Sequence, residues 1–126
     1  MARTFVVLGA FFMFLGVGAG AFGAHSLRRY FEQYPQLATT YDTAVRYHLW
    51  HGLALLAVAW ATTRWPGPLT NWAGYLLAAG IVIFSGSLYL LVVTRARWLG
   101  AITPLGGAAF LAGWLCLLLA AWQAPS

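Results

Sequence analysis

Three histidines and one arginine carry most of the chemistry that this sequence offers. His48 and His51 are three residues apart, which places their imidazoles near one face of a helix, and His25 ends an earlier apolar run. Imidazoles bind Zn²⁺ or Cu²⁺ and exchange protons near neutral pH. Arg46 could contact an anionic lipid or ligand. The candidate ligand-binding residues are therefore His25, Arg46, His48 and His51, and the histidines are weak metal candidates.

A structural role is the competing interpretation of the same residues. Histidines near a membrane surface commonly hydrogen-bond to backbone carbonyls or to tyrosine, and no further ligand stands at a fixed spacing from this group. Asp42 precedes Arg46 by four residues, in the favourable order for an ion pair on one helix. Structural, polar-ligand and metal-binding roles all stay open, and no firm metal site is predicted.

The composition argues against a soluble enzyme. Hydrophobic residues make up 62% of the 126-residue chain and charged residues 7%, whereas soluble proteins carry about 25% charged residues. Glu32 and Asp42 are the only carboxylates, so no acidic pair, nucleophile–base arrangement or phosphate-binding loop is visible. We expect no enzymatic activity and no cofactor. The net charge of +5 comes from arginines near the ends of apolar runs, which favours membrane lipids as partners and argues against nucleic acid.

Four apolar stretches predict the fold class. Each is close to the roughly 20 residues that a helix needs to cross a bilayer, and they cover residues 4–24, 45–63, 72–93 and 105–122. Within lipid the backbone must satisfy its own hydrogen bonds, so we expect helices. The first stretch is longer than the core of a signal peptide and is expected to remain as a span. Residues 1–126 are thus predicted to form one all-α domain, a four-transmembrane-helix bundle in a cell membrane.

The first loop is predicted to contain a short amphipathic helix lying in the membrane interface. Leu27, Tyr30, Phe31 and Tyr34 recur at helical spacing, and Pro35 would end the helix. Thr39 followed by Asp42 resembles a capping start for the second spanning helix. Arginine counting places the first and third loops in the cytoplasm.

Small residues predict close helix packing, in the bundle or in a dimer. Gly16, Gly20 and Ala24 recur every fourth residue of the first span, and such ridges let helix backbones approach closely in lipid. Serines in the membrane usually bond to a carbonyl of their own helix or to a neighbouring helix. The predicted packing residues are Gly16, Gly20, Gly23, Ala24, Ser85, Gly86, Ser87 and Gly113.

Four motifs along the chain resemble those of the YgdD/YwdK-like family of uncharacterised small bacterial membrane proteins. They are the GAFGAH segment ending at His25, the stretch from Tyr47 through His51, the FSGSLY segment at 84–89, and the segments from Thr103 to Gly107 and from Leu111 to Trp114. The resemblance implies a four-helix protein of the bacterial inner membrane and no established activity. His25 and His51 match the family's motifs, whereas relatives commonly carry Gln in place of His48. Relatives often end in a basic tail, which implies cytoplasmic termini, so orientation stays open.

The leading functional hypothesis is a non-enzymatic accessory or scaffold bundle, alone, as a homo-oligomer or with another membrane protein. The alternatives are a small-molecule, lipid or metal site near the first loop, involving His25, Arg46 and His51, or a small transporter. A transporter would need a continuous polar path, and no predicted span carries a central carboxylate.

Overall fold

The computed structural model describes residues 1–125, which are helical throughout apart from short connections. The α-helices are α1 (Ala2–His25), α2 (Arg28–Gln33), α3 (Pro35–Arg64), α4 (Pro68–Gly80), α5 (Gly86–Thr94) and α6 (Thr103–Gln123). A π-helical turn, Ile81–Ser85, joins α4 to α5, and a 3₁₀ helix, Arg97–Ala101, leads into α6. The all-α prediction is confirmed for these residues. The last residue of the predicted 1–126 domain lies outside them.

Three helical segments are long and apolar enough to cross a membrane. They are Ala2–His25, Pro68–Thr94 and Arg97–Gln123, which contain the first, third and fourth predicted spans. Helix α3 contains the second predicted span but is not among the three, because it carries polar residues such as His48 and His51 within its apolar stretch. The chain is therefore a helical membrane protein with three candidate spans.

The first loop contains the expected short helix, but α3 begins earlier than the sequence pattern indicates. Helix α2 ends at Gln33, just before Pro35. The predicted capping start at Thr39 and Asp42 is wrong, since both residues lie inside α3. The ring of Pro35 fixes φ at a helical value and its missing N–H costs nothing in a first turn, so α3 starts there.

Helix α3 is the central element of the bundle. Helix α1 runs antiparallel along it, α4 and α5 also pack against it, and α6 pairs closely with α4. Gly9 of α1 lies against Leu56, and Gly16 lies against Leu49 and His48. The core of the bundle is formed by Phe5, Leu55, Val58, Leu77, Ile81 and Phe110.

The π-helical turn coincides with the closest approach of two helices. A Cβ built on Gly106 of α6 would lie 2.7 Å from the Cα of Phe84, closer than real side chains come to a backbone. Only a glycine lets α6 pass the widened turn at this distance. Pro104 occupies the first turn of α6, where its missing N–H costs nothing.

We predict that Gly106→Ala destabilises the bundle by about 1–3 kcal/mol, the usual cost of overpacking a core. Gly86→Ala is the matched control, because a Cβ there would meet no atom within 4 Å and alanine is the better helix former. The stability of both variants is measured by unfolding them in mixed micelles with rising SDS and following the helix signal by circular dichroism. Equal midpoints for the two variants would contradict the close approach.

Candidate functional site

The structure brings two of the three candidate histidines together and separates the third. His48 and His51 lie one turn apart on α3 and are 5% and 6% exposed. Gly23 of α1 contacts the ring of Tyr41, which precedes His48 by seven residues, or about 10 Å of helix. His25 follows Gly23 at the end of α1 and is exposed. It therefore lies well away from the buried pair.

His51 uses both of its ring nitrogens, one within α3 and the other to join α3 to α6. Nδ1 lies 2.7 Å from the carbonyl oxygen of Tyr47, and Nε2 lies 3.1 Å from Nε1 of Trp114. A carbonyl can only accept and an indole N–H can only donate, so Nδ1 carries the proton and Nε2 accepts from Trp114. The imidazole is also stacked on the ring of Phe110, with centroids 3.6 Å apart. No ring nitrogen of His51 is left for a metal in this arrangement.

His48 connects α3 to α5 and faces α1. Its Nδ1 lies 2.8 Å from the hydroxyl of Tyr89, and its ring packs edge-on against Phe12. Nε2 is buried, has no hydrogen-bond partner among residues 1–125 and points toward α1 near Gly16. An unpartnered buried nitrogen costs free energy, so this histidine is less completely satisfied than His51.

Two serine hydroxyls also hold the helices of the bundle together. Ser85, in the π-helical turn, is completely buried and donates to the carbonyl of Ala44 on α3 at 2.8 Å. The hydroxyls of Ser87 and Thr103 are 2.6 Å apart and join α5 to α6. Both serines thus bond across helices, as serines in membrane helices often do.

The other predicted packing residues divide into covered and open positions. Gly16 and Gly23 lie against α3, a Cβ built on Gly20 would lie 3.6 Å from Cγ1 of Val45, and Gly113 lies against Leu77. A Cβ on Gly86 would meet no atom within 4 Å, and Ala24 is exposed.

Arg46 lies outside this buried network. Its Nε is 2.7 Å from Oδ2 of Asp42, and the two side chains are 64% and 60% exposed. The ion pair predicted from the spacing is confirmed. Among the described residues, no group of three or more His, Cys, Asp or Glu side chains is placed to hold a metal ion.

Comparison with known proteins places this arrangement in a family. A family model described as "Protein of unknown function (DUF423)" matches residues 19–107, which include His25, His48 and His51. The chain belongs to this family. Members of the DUF423 family similar to it include UPF0382 membrane protein YwdK of Bacillus subtilis, 46% identical over 94% of this chain and 96% of the relative. UPF0382 membrane protein SH2409 of Staphylococcus haemolyticus is 43% identical over 96% of this chain and 97% of the relative. No solved structure matches the chain.

Sequence patterns do not identify Trp114 as the partner of His51, although one signal is present. Most tryptophans of this DUF423 protein lie near the ends of the predicted spans, whereas Trp114 falls in mid-span. An indole N–H in an apolar environment needs an acceptor. The pairing itself depends on how α3 and α6 face each other, which helical periodicity does not specify.

We predict an energetic coupling between His51 and Trp114. In a double-mutant cycle, His51→Phe removes the acceptor of the hydrogen bond and Trp114→Phe removes its donor. The double variant should therefore lose less stability than the two single variants lose together. A coupling of about 0.5–1.5 kcal/mol is expected for such a bond between membrane helices. SDS-unfolding midpoints measure it.

The control cycle pairs His51→Phe with Trp122→Phe, because Trp122 is 83% exposed and far along α6. Those two substitutions should be additive within about 0.5 kcal/mol. Additivity in the His51–Trp114 cycle as well would contradict the hydrogen bond.

Proposed function

We propose that this DUF423 protein is a non-enzymatic accessory or scaffold subunit of the bacterial cell membrane, built as a four-span bundle that binds a neighbouring membrane helix. The similar proteins named as membrane proteins come from bacteria, which supports this location. The observation that carries the binding role is an uncovered stripe of large apolar residues along α6.

The position of α3 supports a fourth span. Helix α1 is a candidate span, and α3 runs beside it from Leu56, opposite Gly9, to Tyr41, opposite Gly23. A helix that accompanies a spanning neighbour over this length has to cross the same hydrocarbon layer. Its histidines lower its hydropathy but are covered by other helices and not by lipid.

The use of the buried polar groups supports a non-enzymatic role without a cofactor. His51 is bonded at both nitrogens, and the hydroxyls of Ser85 and Ser87 join helices. Groups held in this way stabilise the bundle and are not free to take up protons, metals or substrates. The same pairing argues against a transporter, which needs polar groups along a continuous path.

The glycine ridge of α1 is largely covered by α3 and is therefore not available to a partner. On α6, exposed side chains recur at spacings of four, three and four residues, which is the pattern of a helix–helix seam. Their exposures are 74%, 55%, 56% and 83% for Leu111, Leu115, Leu118 and Trp122. This α6 stripe presents one continuous apolar surface to a second helix.

Photocrosslinking in native membranes tests the proposal. A photoreactive amino acid replaces Leu111 or Leu118, and the control position is Val82, which is 61% exposed but lies in the π-helical turn. We expect a discrete protein adduct from the two α6 positions and none from Val82. Its mass tells a second copy of this chain from another membrane protein. Adducts with lipid alone at all three positions would contradict a scaffold role.

A further inference from the structure

An apolar groove lies between α1 and α5, away from the α6 stripe, and one of its lining residues, Tyr89, is the partner of His48. Its volume is about 600 Å³, within the range of roughly 300–1,000 Å³ typical of small-molecule sites. Phe14, Leu15, Gly18, Ala19 and Phe22 form one wall, and the rest of the lining comes from Leu27, Tyr30, Tyr41, Tyr89, Val92 and Val93. The tyrosine hydroxyls are engaged, since Tyr41 donates to the Ala19 carbonyl and Tyr89 bonds to His48. The groove therefore suits an apolar occupant that needs no hydrogen bonds.

The length of the groove fits one membrane leaflet. Its α1 wall, from Phe14 to Phe22, covers about 12 Å of helix, against about 15 Å for half of a hydrocarbon core. Toward the other membrane face the groove does not extend past Phe14, and there α1 packs on α4 through Phe5, which contacts Gly74 and Tyr75. A spanning helix of a second copy would need a face open over the whole membrane. A single acyl chain needs only this depth.

Helix α2 crosses the end of the groove at which Tyr30 and Val92 lie, and we call α2 the strap. The hydroxyl of Tyr30 donates to the carbonyl of Val92 at 2.6 Å, and Leu27 lines the same end. Val92 belongs to the last turn of α5, whose carbonyls have no partner within the helix, so this bond also caps α5. The bond holds the strap where lipid headgroups would lie.

The charge at this end of the groove is positive. Arg28 and Arg29 lie between the lining residues Leu27 and Tyr30, are exposed, and form no ion pair within residues 1–125. Arg95 follows closely after Val93 and lies over the ring of Tyr34 at 4.7 Å. Glu32 is the only carboxylate on α2. Arginines at the headgroup level attract anionic lipids.

We propose that this groove binds one acyl chain of an anionic phospholipid whose headgroup lies against Arg28 and Arg29. The site is independent of the scaffold role and of the α6 stripe. Lipid bound here would fill the gap between α1 and α5 and fix the strap.

Native mass spectrometry tests the proposal on the full-length protein, released from nanodiscs containing equal amounts of phosphatidylglycerol and phosphatidylcholine. We expect one retained phosphatidylglycerol per protein. Gly18→Leu places a side chain where a Cβ meets no atom within 4 Å and so fills the groove, and the retained lipid should be lost. Val93→Phe fills it from the opposite wall and should have the same effect.

Gly86→Leu is the matched control, since it changes another helical glycine whose Cβ faces open space but which does not line the groove. It should keep the lipid. Circular dichroism establishes that each variant is folded. Full lipid retention in a folded Gly18→Leu or Val93→Phe variant would overturn the proposal, as would a quinone or a second copy of the chain as the retained species.

The headgroup contact is tested separately. Replacing Arg28 or Arg29 with Gln should lower the preference for phosphatidylglycerol over phosphatidylcholine about fivefold for each arginine removed. Arg3→Gln, at the other end of α1, should leave the ratio unchanged. An unchanged ratio in the Arg28→Gln, Arg29→Gln double variant would overturn the anionic part of the proposal.

Discussion

The bundle depends on hydrogen bonds that α3 makes to α5, to α6 and to the π-helical turn. His51 accepts from Trp114 of α6, His48 bonds to Tyr89 of α5, and the Ala44 carbonyl accepts from Ser85 in the π-helical turn. In hydrocarbon no water competes for these groups, so a shift of one helix against α3 would leave several of them unpaired. Apolar packing alone fixes a register weakly, because lipid tails offer similar contacts. The polar bonds therefore determine which residues of these helices meet.

Close packing at small residues, together with the polar bonds, holds the helices in place. The side chains of Leu56, Leu49 and Tyr41 of α3 pack against glycines of α1. Gly106 lets α6 pass close to the backbone at Phe84. The two kinds of contact depend on each other. Helices have to approach closely before a histidine can reach a tryptophan on the next helix, and the bond then holds them at that distance.

The use of buried polar groups to join helices bears on what the protein can do. Most of the buried polar groups join helices, which supports the proposal that the functional surfaces lie on the outside of the bundle. There the chain has two distinct apolar features, the α6 stripe and the groove strapped by α2. The stripe runs from Leu111 to Trp122, whereas the α1 wall of the groove runs only from Phe14 to Phe22, which is why different occupants are proposed for them. The two surfaces lie on different helices, so both could be occupied at once.

The sequence by itself determined that this protein lies in a membrane, and it determined much of the local structure. Long apolar runs specify membrane helices, and the spacing of Asp42 and Arg46 specifies their ion pair. These features depend on neighbours along the chain. Only the tertiary structure decided that His51 meets Trp114, that His25 lies apart, and that α1 and α5 leave a groove. Those outcomes depend on which faces of the helices pack together, and helices this uniformly apolar present several faces of nearly equal hydropathy.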